Sequence, residues 1–311
     1  MHSTAYNALS AIGNTPLVRL SNIVPDQCAD VYLKLEYLNP TGSFKDRMAL
    51  AIIEEAEQRG TLRPGMTVVE CTAGSTGTAL AFVCAVKGYR FRVITSDAFA
   101  KEKLQSMRAL GAEIQLVSSE GGRITPDLIP RMIGLAAELG QDPENYWTRQ
   151  FENRDAIEGY RKMGKEIRQQ CPAFVNVFVA AVGTAGMLTG VSLELKHTGP
   201  DTKVVALEPA ESPMLTQGIK GSHSIDGVGV GFIPPMLSAE AYDEVGAISE
   251  ARARETARLL AAREGIFAGT STGLNVAAAL DIGCQLGPGH TVVTVACDSG
   301  MKYLAGGLFD W

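Results

Sequence analysis

The sequence of 311 residues is short of several things, and each shortage closes a class of function. No stretch approaches the roughly 18 consecutive apolar residues of a membrane-crossing helix. The N-terminus "MHSTAYNALSAIGNTPL" has neither the charged segment nor the sustained apolar segment of a secretory leader, so the expected location is the cytoplasm. Neither a basic tract nor a long run of one charge sign occurs, and the net charge is −6. Nucleic acid and membrane are therefore not expected as partners. The six cysteines, at 28, 71, 84, 171, 284 and 297, include no CxxC pair. They read as reduced thiols, mostly in the core. The four histidines stand singly, which leaves neither a zinc site nor a Ser-His-Asp arrangement, and no metal is expected. Tandem repeats and low-complexity segments are also missing.

What is present describes a folded chain. Apolar residues make up 46% and charged residues 20%, and 33 glycines point to tight turns and close backbone approaches. The length suggests two domains. Strand-length apolar runs alternate with helical patterns: "VYLKLEY", a helix from about Phe44, "TVVE", a helix near Gly77, "FRVITS", the helix "AKEKLQSMRALG" and "EIQLVS". The rhythm resumes with "VNVFVAAVG", a helix near "MLTGVSLELKH", "KVVALEP", a helix from about Glu250 to Glu264 and the strand "TVVTVACDSG". This repeated βαβ pattern predicts parallel, doubly wound sheets in two α/β domains joined around "DPENYWTRQFENRD", with a cleft between them. In such sheets ligands bind beyond the carboxyl ends of strands, so the loops there carry the information.

One lysine, three such loops and a further glycine-spaced stretch stand out. "NPTGSFKDR", Asn39 to Arg47, is punctuated by Pro40 and Gly42, and Ser43 is read as the N-cap of the helix that follows. Lys45 then falls in the first turn, where the helix dipole disfavours a cation by about 0.3–1 kcal/mol. The same field favours the neutral amine that condenses with an aldehyde. A solvated lysine paired with Asp46 or Glu54 is the plainer alternative. "CTAGSTGTAL", Cys71 to Leu80, offers Thr72, Ser75 and Thr76 at a helix N-terminus and suits a carboxylate, or is simply a helix cap. "VGTAGMLTG", Val182 to Gly190, lets the backbone approach a phosphate through Gly183 and Gly186. It is neither a P-loop nor a dinucleotide fingerprint. "CDSGMKYL" presents Asp298 and Ser299 at a strand end, either to a heterocyclic nitrogen or as a turn capping the next helix. The glycine-spaced "GVGVGFIP" allows packing against a flat ligand, or is a turn.

Together these describe pyridoxal phosphate chemistry, and over nearly its whole length the sequence resembles the cysteine synthase and cystathionine β-synthase family of fold-type II enzymes, the tryptophan synthase β-like kind. "GNTPLVRL", "NPTGSFKDR", "QFEN", "EPAESPML" and "GVGVGFIP" fall in that family's order. The resemblance implies a smaller, mobile domain over 40–148, a larger one over 1–39 and 149–311, and pyridoxal 5'-phosphate in the cleft. It implies that Lys45 forms the Schiff base with the cofactor and later acts as base. It places Gly183, Thr184, Ala185, Gly186 and Met187 around the phosphate, Ser299 at the pyridine nitrogen and Ser75 at the cofactor ring. Thr72, Ala73, Gly74, Thr76, Gln150 and Gly227 would meet the substrate. The implied reaction is β-replacement on O-acetylserine, O-phosphoserine or serine through an α-aminoacrylate, with a thiol or other nucleophile completing cysteine or a related amino acid. A homodimer is implied as well.

The family's usual T-S-G-N-T-G reads T-A-G-S-T-G here, and G-T-G-G-T reads G-T-A-G-M. Both departures fall in ligand loops, so the leaving group is open. A serine or threonine dehydratase, a threonine synthase-like lyase and a non-catalytic binding relative are the alternatives. A catalytic core without a regulatory module or heme-binding extension is expected. The C-terminal "LFDW" is read as an apolar, acidic tail of a kind that could dock into a partner.

Overall fold

A computed structural model describes residues 6–72, 74–99, 101–121 and 127–310. In chain order its elements are strands β1 (Leu17–Arg19) and β2 (Asp30–Leu35), helix α1 (Lys45–Gln58), β3 (Thr67–Cys71), α2 (Ser75–Lys87), β4 (Arg90–Ser96), α3 (Lys101–Ala109), β5 (Glu113–Val117), α4 (Leu128–Leu139), β6 (Asn145–Trp147) and α5 (Asp155–Gln170). Then follow β7 (Val177–Ala181), α6 (Gly186–Thr198), β8 (Lys203–Pro209), the short α7 (Met214–Gln217), β9 (Glu244–Ile248), α8 (Glu250–Leu259), α9 (Thr270–Leu286) and β10 (Thr291–Ala296).

The chain forms two compact units, one from Met1–Ile12 and Lys45–Ala156, the other from Gly13–Phe44 and Ile157–Trp311. The first holds a parallel sheet in the order β5-β4-β3-β6. Its strand β3 is buried at every position, because helices cover both faces and leave no polar side for alternation. Ile53, Leu80, Val83, Val93 and Met107 fill one side of this sheet, and Ile94, Leu128 and Met132 fill the other.

The second unit holds the order β1-β2-β10-β7-β8-β9, parallel except for β1, which pairs antiparallel with β2 at the edge. Fully buried β7 and β10 lie at its centre, and α9 packs against β10, β7 and β2. The expected α/β architecture with two sheets flanked by helices is therefore present, with an antiparallel edge added to one of them.

Two expectations change. Cys28 and Cys284 are joined by a disulfide across 256 residues of sequence, so these two are not reduced thiols. The other four, Cys71, Cys84, Cys171 and Cys297, are free, and all but the half-buried Cys171 are buried. Spacing along the chain carries no sign of a pair this far apart. Helix α1 begins at Lys45, and the Ser43 backbone forms an antiparallel bridge with Asp298. The tail does not stand free, because Leu308 is buried with Ala257 and Tyr303 and Phe309 stacks on Phe267 at 4.5 Å. Among the described residues no helix is long and apolar enough to cross a membrane.

Candidate functional site

The segment Asn39–Phe44 is built as a turn and a strap. Gly42 donates its N–H to Asn39 O at 2.8 Å and adopts φ +71°, a left-handed conformation that glycine takes without a Cβ penalty. The strap then lies along the end of β10. Phe44 N–H bonds to Cys297 O at 3.1 Å and Ser299 N–H to Gly42 O at 3.0 Å. Lys45 follows directly as the first residue of α1, and it is buried.

The strand end itself is held from three directions. Gly269 N–H bonds to Asp298 O and Cys297 N–H to the Thr272 hydroxyl, and Tyr303 donates its hydroxyl to both Asp298 oxygens, at 3.2 and 3.0 Å. Burial, reinforced by the adjoining carboxylate, pushes the Tyr303 hydroxyl well above the usual range, so it remains a donor. Ser299, not Asp298, is the cap. Its oxygen accepts from Met301 N–H at 3.3 Å at the start of a short 3-10 helix, Gly300–Gly306.

The Gly183–Met187 turn leads from β7 into α6, a helix of 13 residues whose first N–H groups have no intrahelical partner. Ala185 occupies the N-cap at φ +68°. The sequence-predicted Gly227 lies against this turn: a Cβ on Gly183 would stand 2.2 Å from the Gly227 carbonyl, and Gly229 N–H bonds to Val182 O. Only glycine fits at 183. Gly227, Gly229 and Gly231 all adopt positive φ, which explains the alternate glycines of "GVGVG".

In the first unit, the loop after β3 opens α2 at Ser75, with Gly74 as cap. Thr72 and Thr76 are buried, and Thr72 Oγ1 accepts from Gly74 N–H at 3.2 Å. Gln150 belongs to this site. Its Oε1 accepts from Thr76 Oγ1 at 2.9 Å and its Nε2 donates to Cys71 O at 2.8 Å. Ala73 lies outside the described residues.

Two residues here escape sequence reading. Lys103 of α3 stands over the loop, with its Nζ 3.8 Å from where a Gly74 Cβ would sit. Glu70, fully buried at the end of β3, accepts from Thr148 Oγ1 at 2.6 Å, Gln150 N–H at 2.9 Å and Cys71 N–H at 2.8 Å. Burial pushes its carboxyl above the usual range, and those hydrogen bonds oppose the shift. An acid closing an otherwise apolar buried strand, "TVVE", was the available signal.

These groups supply two helix N-termini suited to anions, hydroxyl donors, and a buried lysine at the start of a helix. The donor set of the Gly183–Met187 turn, backbone N–H groups with the Thr184 hydroxyl, fits a phosphate. Comparison with known proteins agrees. A family model described as pyridoxal-phosphate dependent enzyme matches residues 8–298. A cysteine synthase of Staphylococcus aureus is 42% identical over 307 residues, covering 98% of this chain and 97% of the relative. An O-ureido-L-serine synthase of Streptomyces lavendulae is 38% identical, covering 97% and 92%. A crystal structure of an O-ureido-L-serine synthase superposes with a TM-score of 0.91 at 37% identity, covering 99% of this chain and 96% of that one. Likeness of this extent means that the chain belongs to the fold-type II pyridoxal-phosphate-dependent enzymes, in their cysteine synthase-like branch.

Proposed function

We propose that the protein catalyses β-replacement on a β-substituted L-alanine, with O-acetylserine, O-phosphoserine or serine as donor and a thiol or related nucleophile as acceptor. The observation that carries this reading is the Thr72–Thr76 loop. It combines buried hydroxyls, a helix N-terminus and the Gln150 side chain, with the Lys103 ammonium alongside. Such a group binds a carboxylate, and amino acids bring one.

When bound, pyridoxal phosphate supplies an electron sink for negative charge at the substrate α-carbon. The Gly183–Met187 turn would hold its phosphate at the N-terminus of α6. Lys45 would hold its aldehyde carbon, and the Lys45 amine would serve as the general base for the proton on the substrate Cα. Ser299 would offer the ring nitrogen a hydroxyl that imposes no charge there, which would favour loss of a β-substituent over transamination. The Thr72 hydroxyl, which accepts from Gly74 N–H, keeps its own proton for the substrate carboxylate. Ser75, at the first position of α2, would offer the cofactor ring a short hydroxyl. The homodimer implied by the resemblance is part of the same reading.

The test is an absorbance titration of the purified protein with O-acetylserine, O-phosphoserine and serine in turn. A shift of the cofactor band with one of them, and a product only when sulfide or another nucleophile is added, is expected. Lys45→Ala should remove both the lysine-linked cofactor band and turnover. Pyruvate released from serine without added nucleophile would assign the protein to the lyases instead, and an unchanged spectrum with all three donors would overturn the reading.

A further inference from the structure

We propose that Glu70 is the positioning residue of the Thr72–Thr76 loop: its carboxylate fixes the main chain at Cys71 and Gln150 and so holds the Gln150 side chain on Thr76. The inference rests on the reading of that loop as the substrate carboxylate site.

The pairing of β3 with β6 ends at Val69 and Trp147, where Thr148 N–H makes a last bond to Val69 O. Beyond that point the two segments would be free to part. Glu70 takes over the connection. One oxygen accepts from Cys71 N–H, and the other accepts from both the Thr148 hydroxyl and Gln150 N–H. Its two distant partners straddle Arg149, which adopts φ +50° although it is not glycine. A left-handed backbone at an ordinary residue is costly and persists only where its surroundings over-determine it. Bonds to residues 148 and 150 do that.

A closed circuit results. Cys71 donates its N–H to Glu70 and accepts from Gln150 Nε2 at its carbonyl, Gln150 donates its N–H to Glu70, and Gln150 Oε1 accepts from the Thr76 hydroxyl. No cation is paired with Glu70 among the described residues. A buried carboxylate without one is tolerated when several donors point at it, and two of the three here are backbone N–H groups that can only donate. Glutamine in this place would turn its NH2 toward one of them. The site therefore requires an acceptor-only side chain.

Glu70→Gln is expected to raise KM for the amino-acid donor about 10-fold while kcat changes about 2-fold or less, the split of a lost binding contact. In a Gln150→Ala background the same substitution should add nothing, since both changes remove one path. Without any substrate, amide exchange should quicken about 10-fold in Glu70→Gln at Cys71 or Gln150, whichever N–H the glutamine NH2 then faces. A KM unchanged in Glu70→Gln, or effects that multiply in the double variant, would overturn the role. Unchanged protection would overturn it whatever the substrate proves to be. Should the wild type respond to no amino acid, the proposed function fails, and exchange alone judges Glu70. Should Glu70→Gln not fold, Thr148→Val removes a single donor, and about 3-fold faster exchange at Gln150 is expected. No change there would equally sink the proposal.

Discussion

Ala185 stands at φ +68° at the N-cap of α6, in the turn that the resemblance assigns to the cofactor phosphate. An L-residue pays about 1–2 kcal/mol for a left-handed backbone, against about 0.5–1 kcal/mol of extra chain entropy lost by a glycine. Ala185→Gly should therefore stabilise the protein by up to about 1 kcal/mol, a rise in Tm of roughly 2–4 °C for a unit of this size. Thermal unfolding with and without pyridoxal phosphate checks this, and a fall in Tm would mean that the alanine methyl packs better than the backbone is strained. Single residues differ in how legible they are. The turn at Gly42 and the close approach at Gly183 are legible because glycine and turn chemistry announce local backbone geometry. Glu70 could not be assigned a partner, since Thr148 is 78 residues away and nothing in local spacing points to it.

In β2 a lysine occupies a strand that is otherwise apolar at its centre. Lys34 is fully buried, with its ammonium 2.7 Å from Glu166 Oε2, 2.8 Å from Gln170 Oε1 and 2.5 Å from Thr15 O. All three of its donors are used, so the charge is paired and saturated, and α5 is tied to the sheet. Glu166 also accepts from Asn14 N–H at 3.0 Å. Removing one partner of a buried pair leaves the other uncompensated, which costs about 3–5 kcal/mol. Glu166→Gln should lower the stability of the second unit by about 3 kcal/mol, read as a lower urea midpoint at constant slope. A change under about 0.5 kcal/mol would place the pair among the weak surface kind. The strands buried on both faces, β3, β7 and β10, are plain in the sequence as unbroken apolar runs. Strands β1 and β6 are three residues long and only partly buried, so neither period nor composition marks them. Helix α9 is buried almost all round its first half, which erases the polar face that would have revealed it.

The disulfide between Cys28 and Cys284 joins the turn before β2 to α9, two parts of the second unit at opposite ends of the chain. Fold class, sheet direction and the chemistry-bearing loops are local properties and were open to reading, whereas a bond across 256 residues depends on the finished fold. It also qualifies the expectation of a cytoplasmic setting, because such bonds are rare where thiol reductants are kept high. A link of this kind restricts the unfolded chain and is worth about 2–4 kcal/mol. Cys28→Ser with Cys284→Ser should lower stability by that amount, and dithiothreitol should do the same to the wild type and nothing to the double variant. Both cysteines belong to the second unit, while Trp147 lies in the first. In a Trp311→Phe background, Trp147 fluorescence isolates the first unit, and circular dichroism reports the whole chain. If the units unfold separately, the substitution moves the dichroism transition and leaves the fluorescence transition in place. If both move together, the units form one cooperative system and the bond supports it as a whole. Equal midpoints with and without reductant would mean that the two thiols are unbonded in the working enzyme, as the sequence by itself suggests.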